Sequence, residues 1–260
     1  MASHFTDIGF VITSSEEMLE LARSVPAGTP VIATSAGDYV RWSPGGGAEL
    51  WLQRAPDLQL VGMNPHFDVE TRTPVRLTSR VDDPAHPLDG GFHLWLAPEP
   101  IDPDDGDPDV GASPLFVDTP DMRTYDGIEL PIDVDATIAA FAHTLDLYGS
   151  EAELRATGSI MATESLIPSG LFFPGGAERA PVKAEAILQG TVEATERRRN
   201  GATGDEFVWA RVRTYGARLE VVADRTLATR APEVGDILGG TFWMSARFPD
   251  LGSSRAREVA

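Results

Sequence analysis

From residue 184 to residue 248 apolar and polar side chains alternate with a period of two. That rhythm restricts the stretch to half-buried β-strands, because successive strand side chains point to opposite faces. In the first run Leu188, Gly190, Val192 and Ala194 interleave with Gln189, Thr191, Glu193 and Thr195. In the second, Val208, Ala210, Val212 and Thr214 form one face and Phe207, Trp209, Arg211, Arg213 and Tyr215 the other. After a turn at Gly216 and Ala217, Leu219, Val221 and Ala223 alternate with charged residues or valine, which predicts a hairpin. A last run, 237–248, carries Gly239 and Gly240, a pair that allows the sharp bend a barrel corner needs.

Short strands closed in this way resemble an OB-fold barrel. The resemblance covers the last third of the chain and rests on strand order and turn placement. It implies a ligand surface on the second and third strands, where such barrels take oligonucleotides, oligosaccharides or protein partners. Phe207, Trp209, Arg211, Arg213 and Tyr215 are the candidate binding residues on that surface. Two guanidinium groups among three aromatic rings suit stacking and anion binding.

The remainder reads as α+β. Residues 7–12 are expected as a strand, and Ser14 with Glu17 three residues on is a capping-box signature for a helix bearing Met18, Leu21, Ala22 and Val25. Strands are expected at 30–33, 38–42, 49–53 and 58–63, an order similar to ferredoxin-like or vicinal-oxygen-chelate-like modules. Further strands at 75–81 and 92–97 should pair across a turn-rich segment. Residues 128–134 read as a strand and Asp135 as the cap of a helix carrying Ile138, Phe141, Ala142 and Leu145. The fold expected is thus an acidic α+β domain over 1–157, a docked linker over 158–180 with an apolar cluster at 171–173, and an OB-like barrel over 181–260.

Charge follows the same division. Residues 1–180 carry 9 basic and 29 acidic side chains, a balance of −20; residues 181–260 carry 12 and 11, a balance of +1. The acidic part repels phosphate backbones, so nucleic acid is a disfavoured partner and only the barrel could meet it. Lys183 is the only lysine, which points to a GC-rich genome or a salt-adapted source. With no cysteine, the chain has no disulfide, thiol nucleophile or cysteine zinc site. No apolar run approaches the ~18 to 20 residues of a membrane span, so no membrane association and a cytoplasmic location are expected.

Catalytic motifs are missing: there is no G-x-S-x-G elbow, phosphate loop or dinucleotide fingerprint. The acidic loop 99–109 does not match a calcium loop, since Asp102, Asp104 and Gly106 fall out of step and no bidentate glutamate follows. His66, Asp68 and Glu70 alternate, and His66 and Asp68 with a distant His143 could make a facial metal triad; the competing reading is a wet strand face. No cofactor is expected. The sequence reads as a non-enzymatic binding or scaffolding protein acting through protein–protein contacts or self-association. Its alternatives are single-stranded nucleic-acid or anionic-polymer binding by the barrel, and a metal-dependent enzyme using His66 and Asp68. Covering the apolar side chains of the barrel face favours packing against the acidic region or a protein partner.

Overall fold

A computed structural model describes residues 4–101, 106–108, 110–171 and 182–252. The chain is mostly β. A short antiparallel sheet comes first, β1 (Val31–Ala33), β2 (Asp38–Gly45), β3 (Ala48–Arg54) and β4 (Leu60–Phe67), hydrogen-bonded in that order. Helix α1 (Ser15–Ser24) precedes it. Ser14 Oγ accepts from Glu17 N at 3.2 Å, and the Glu17 carboxylate returns to Thr13 N at 2.6 Å, so the expected box closes one residue upstream. Leu21, Ala22 and Val25 are partly buried against the apolar layer described below, and none is fully enclosed.

The remaining strands are β5 (Thr73–Asp82), β6 (Gly90–Pro98), β7 (Gly111–Asp118), β8 (Ile132–Ala142), β9 (Asp146–Tyr148), β10 (Ser165–Ile167), β11 (Glu185–Arg199), β12 (Glu206–Thr214), β13 (Ala217–Asp224) and β14 (Ile237–Arg247). Eight of them close a barrel in the order β11-β12-β13-β8-β5-β6-β7-β14, with β14 pairing back onto β11. β8 also pairs directly with β14. Strands from both sides of residues 158–180 are therefore hydrogen-bonded into one barrel. The sheet is not divided where the charge balance changes, and the barrel is not confined to the last third of the chain.

Alternation along β8, β12 and β13 serves two apolar layers at once. Ile138, Ala140, Val208, Ala210, Val212, Leu219 and Val221 fill one layer with Phe92, Leu94 and Phe242. Their chain neighbours Ala139, Phe141, Phe207, Trp209 and Val222 fill a second, against Val40, Leu50 and Phe67 of the small sheet. Period two sends successive residues to opposite faces, and here both faces are covered.

Two local expectations are overturned as well. The helix expected after Asp135 is strand β8, whose residues 136–142 are all buried. A strand covered on both faces reads as an unbroken apolar run, which periodicity does not separate from a buried helix. The strand expected at 7–12 is a short 3-10 turn, Thr6–Ile8, that inserts Ile8 and Phe10 into the second layer. Its local bond is made to a distant strand end: Asp224 N donates to Asp7 Oδ1 at 2.9 Å. Gly240 allows a close approach, because a Cβ there would lie 2.1 Å from the Thr144 carbonyl oxygen. Asp102, Asp104 and the apolar residues 172–173 lie outside the described residues.

Candidate functional site

The expected barrel face is split into parts with different fates. Phe207 is fully buried, edge to face with Phe67 at 6.1 Å. Trp209 is 6% exposed and donates from Nε1 to Glu220 Oε2 at 2.8 Å, with the Arg198 guanidinium 4.2 Å from its ring centroid. Arg211 Nη2 lies 3.5 Å from Glu220 and 3.6 Å from Glu70, while Arg213 meets Glu164 at 2.5 Å and Glu193 at 3.2 Å. Tyr215, in the turn beyond β12, is 55% exposed. The aromatic pair is thus taken up by the small sheet and both guanidinium groups already face carboxylates.

His66 is fully buried, with Nδ1 2.9 Å from Ser245 Oγ. Burial holds its pKa down to about 3 despite the neighbouring Glu49 carboxylate, so the ring is neutral. Asp68 is largely exposed beside Arg41, at 3.7 Å. His143 lies elsewhere, its ring centroid 4.9 Å from that of His4. Among the described residues no cluster of three His, Asp or Glu could hold a metal ion.

A cavity of about 540 Å³ opens where β4 of the small sheet meets the barrel wall. The parallel register of β7 and β14 sets Asp118 beside Ser245, and both line it. Asp118 Oδ2 accepts from Trp243 Nε1 at 2.5 Å. The Trp243 ring is itself packed by His4, stacked at 4.4 Å, and by Phe141 at 4.9 Å. Across the cavity Asp89 Oδ1 accepts from Gln53 Nε2 at 2.5 Å and Asn64 Nδ2 at 2.9 Å. Gly90 lets this segment lie tight on its neighbours: φ is 154°, and a Cβ would sit 2.6 Å from the Val81 carbonyl oxygen. Thr119 follows at the end of β7, its N bonded to Gly90 O at 3.0 Å.

The electrostatics of the cavity are one-sided. Its lining includes Asp82, Asp83, Asp89 and Asp118 and, among the described residues, no Arg, Lys or His. Asp82 is paired with Arg80 and Arg123, and Asp83 with His86. Asp89 and Asp118 form no salt bridge among the described residues, although the charge of His4 favours the ionised form of Asp118 and His86 interacts with Asp89. Burial pushes the Asp118 carboxyl up to about 6; the Trp243 N–H opposes this, and the Asp89 charge adds to it. Such a wall is suited to hydrogen-bond donors and positive charge and repels anions.

None of these cavity residues is distinguished in the sequence. Asp89 and Thr119 sit in turn-rich segments that look solvated, and Asp118 and Ser245 meet only through a long-range parallel pairing. Comparison with protein-family models, curated proteins and solved structures finds no match.

Proposed function

We propose that the chain is a non-enzymatic binding protein whose ligand is a small polar molecule bearing hydrogen-bond donors or positive charge, held in the cavity between β4 and the barrel. The observation that carries this reading is the pair Asp89 and Asp118, two carboxylates facing one cavity with no Arg, Lys or His among the described residues of its wall. Their supporting bonds from Gln53, Asn64 and Trp243 fix the geometry before a ligand arrives, which lowers the ordering cost of binding. A net charge of −19 attracts the same class of ligand over longer range. The circuit β11-β12-β13-β8-β14, with β13 and β8 parallel and β14 returning to β11, supports an OB-like reading of this part of the barrel. The arginines of its second strand are ion-paired, which argues against phosphate backbones as its ligand.

Thermal-shift measurements with matched cationic, neutral and anionic compounds at pH 7.5 test the reading. Cationic compounds should raise the melting temperature, and Asp118→Asn should remove the rise. Stabilisation by anions, or shifts indifferent to Asp118→Asn, would refute it.

A protein-partner reading rests on a different observation. Leu58, just before edge strand β4, and Leu60 and Val61 at its start are exposed, an apolar group on a strand edge that is unpaired among the described residues. Under that reading Leu60→Glu with Val61→Glu should abolish an assembly detectable by light scattering; a monomer at every concentration, with no partner lost, removes it.

A further inference from the structure

The cavity's acceptors discriminate among cations, and on the proposed ligand-binding reading they identify the group bound. Asp118 gives Oδ2 to Trp243 and has no donor on Oδ1 among the described residues. Asp89 gives Oδ1 to both Gln53 and Asn64 and has no donor on Oδ2 among the described residues. Thr119 is 2% exposed, lines the cavity, and its Oγ1 has no hydrogen-bond partner among the described residues. A buried hydroxyl without a partner loses its hydration and gains nothing in return, so it marks a place where a ligand completes the bonding.

We infer that the cavity is a site for a primary ammonium group, whose three N–H bonds are met by Asp118 Oδ1, Asp89 Oδ2 and, once its enclosed side chain turns toward the ligand, Thr119 Oγ1. An ammonium is a compact charge with three divergent donors, which suits three acceptors on separate side chains. A guanidinium is worse served. Its parallel N–H pair needs both oxygens of one carboxylate; Asp89 Oδ1 already accepts two donors, and Asp118 Oδ2 has one lone pair left beside the Trp243 N–H. A quaternary ammonium or a sugar face needs an open aromatic surface. The Trp243 ring is packed by His4 and Phe141, and Phe116 is 4% exposed beside His93. The ammonium could come from a free alkylamine or from the lysine side chain of a peptide, and the two present the same head group.

Calorimetric titration of the full chain at pH 7.5 decides the matter, with n-butylamine, butylguanidinium, butyltrimethylammonium and methyl glucoside as head-group probes. Cadaverine and a blocked lysine amide then compare the sources. Butylamine should bind at least tenfold more tightly than the other three. Asp118→Asn should weaken it tenfold or more, and Thr119→Val several-fold with an unchanged melting temperature. Preference for cadaverine assigns the free amine as the source, and preference for the blocked lysine assigns a peptide. If butylguanidinium or the glucoside binds best and still depends on Asp118, the cavity remains the ligand site and the ammonium assignment is wrong. If no probe shows binding that depends on Asp118, both fall.

Discussion

Trp209 and Glu220 are joined across the antiparallel pair β12 and β13, the indole Nε1 donating to Glu220 Oε2 at 2.8 Å with both residues buried. The bond anchors the barrel face to the connection that leaves the small sheet. Glu220 Oε1 also accepts from Thr71 N at 2.9 Å, Thr71 Oγ1 at 2.7 Å and Glu70 N at 3.2 Å. Trp209→Ala removes the ring from the second apolar layer and leaves Glu220 short of a donor. A loss of about 3 to 5 kcal/mol in denaturant unfolding is expected, with no change in affinity for short single-stranded DNA or RNA. A fully stable mutant that loses such binding would return this face to a nucleic-acid role.

Glu220→Gln tests the anchor while keeping its shape. If the amide oxygen keeps the Thr71 bonds, its NH₂ meets the Trp209 N–H, donor against donor. The expected cost is about 1 to 3 kcal/mol, with faster hydrogen exchange at the Thr71 amide. An unchanged Thr71 exchange rate would show that the connection is held by other contacts.

Adjacent glycines should respond oppositely. A Cβ on Gly239 meets nothing closer than 3.7 Å, whereas on Gly240 it would lie 2.1 Å from the Thr144 carbonyl oxygen. Gly239→Ala should therefore be tolerated, and Gly240→Ala should lower stability by about 1 to 3 kcal/mol through forced backbone movement. Equal effects in thermal melts would remove the close-approach explanation.

The same region shows what the sequence could and could not convey. Alternation from Val208 to Thr214 announced a strand, and the aromatics on its other side implied a cover. The identity of that cover, β2 to β4, depended on pairings that no local pattern encodes. β8 was hidden for the opposite reason. Residues 136–142 are buried on both faces, so the period that distinguishes strand from helix was erased. β7 carries Pro114 in its interior, which weakens any strand signal there. The cavity was less legible still. Asp118 gains its significance from Trp243 and Ser245, residues 125 or more positions away, and from a wall without Arg, Lys or His among the described residues.

Titration of the buried carboxyls supplies the last prediction. Burial raises Asp7 and Asp118 from the ordinary 3.8 to about 6. A carboxyl with a raised folded pKa binds more protons in the native state between those values, so it lowers stability as pH climbs from about 4 to 6. His66 acts in the opposite sense: its pKa falls from 6.5 to about 3, and its contribution is lost as pH falls through that window. Asp7→Asn keeps an acceptor for the Asp224 N–H and removes the buried charge. It should raise stability at pH 7.5 by on the order of 2 kcal/mol and leave stability at pH 4 nearly unchanged, as measured by urea unfolding at both values. Ammonium binding should share the Asp118 step, weakening as pH falls through about 6 because protonation puts a neutral carboxyl where the charge is needed. A gain from Asp7→Asn that is equal at the two pH values would assign the effect to packing and leave the buried charge without consequence.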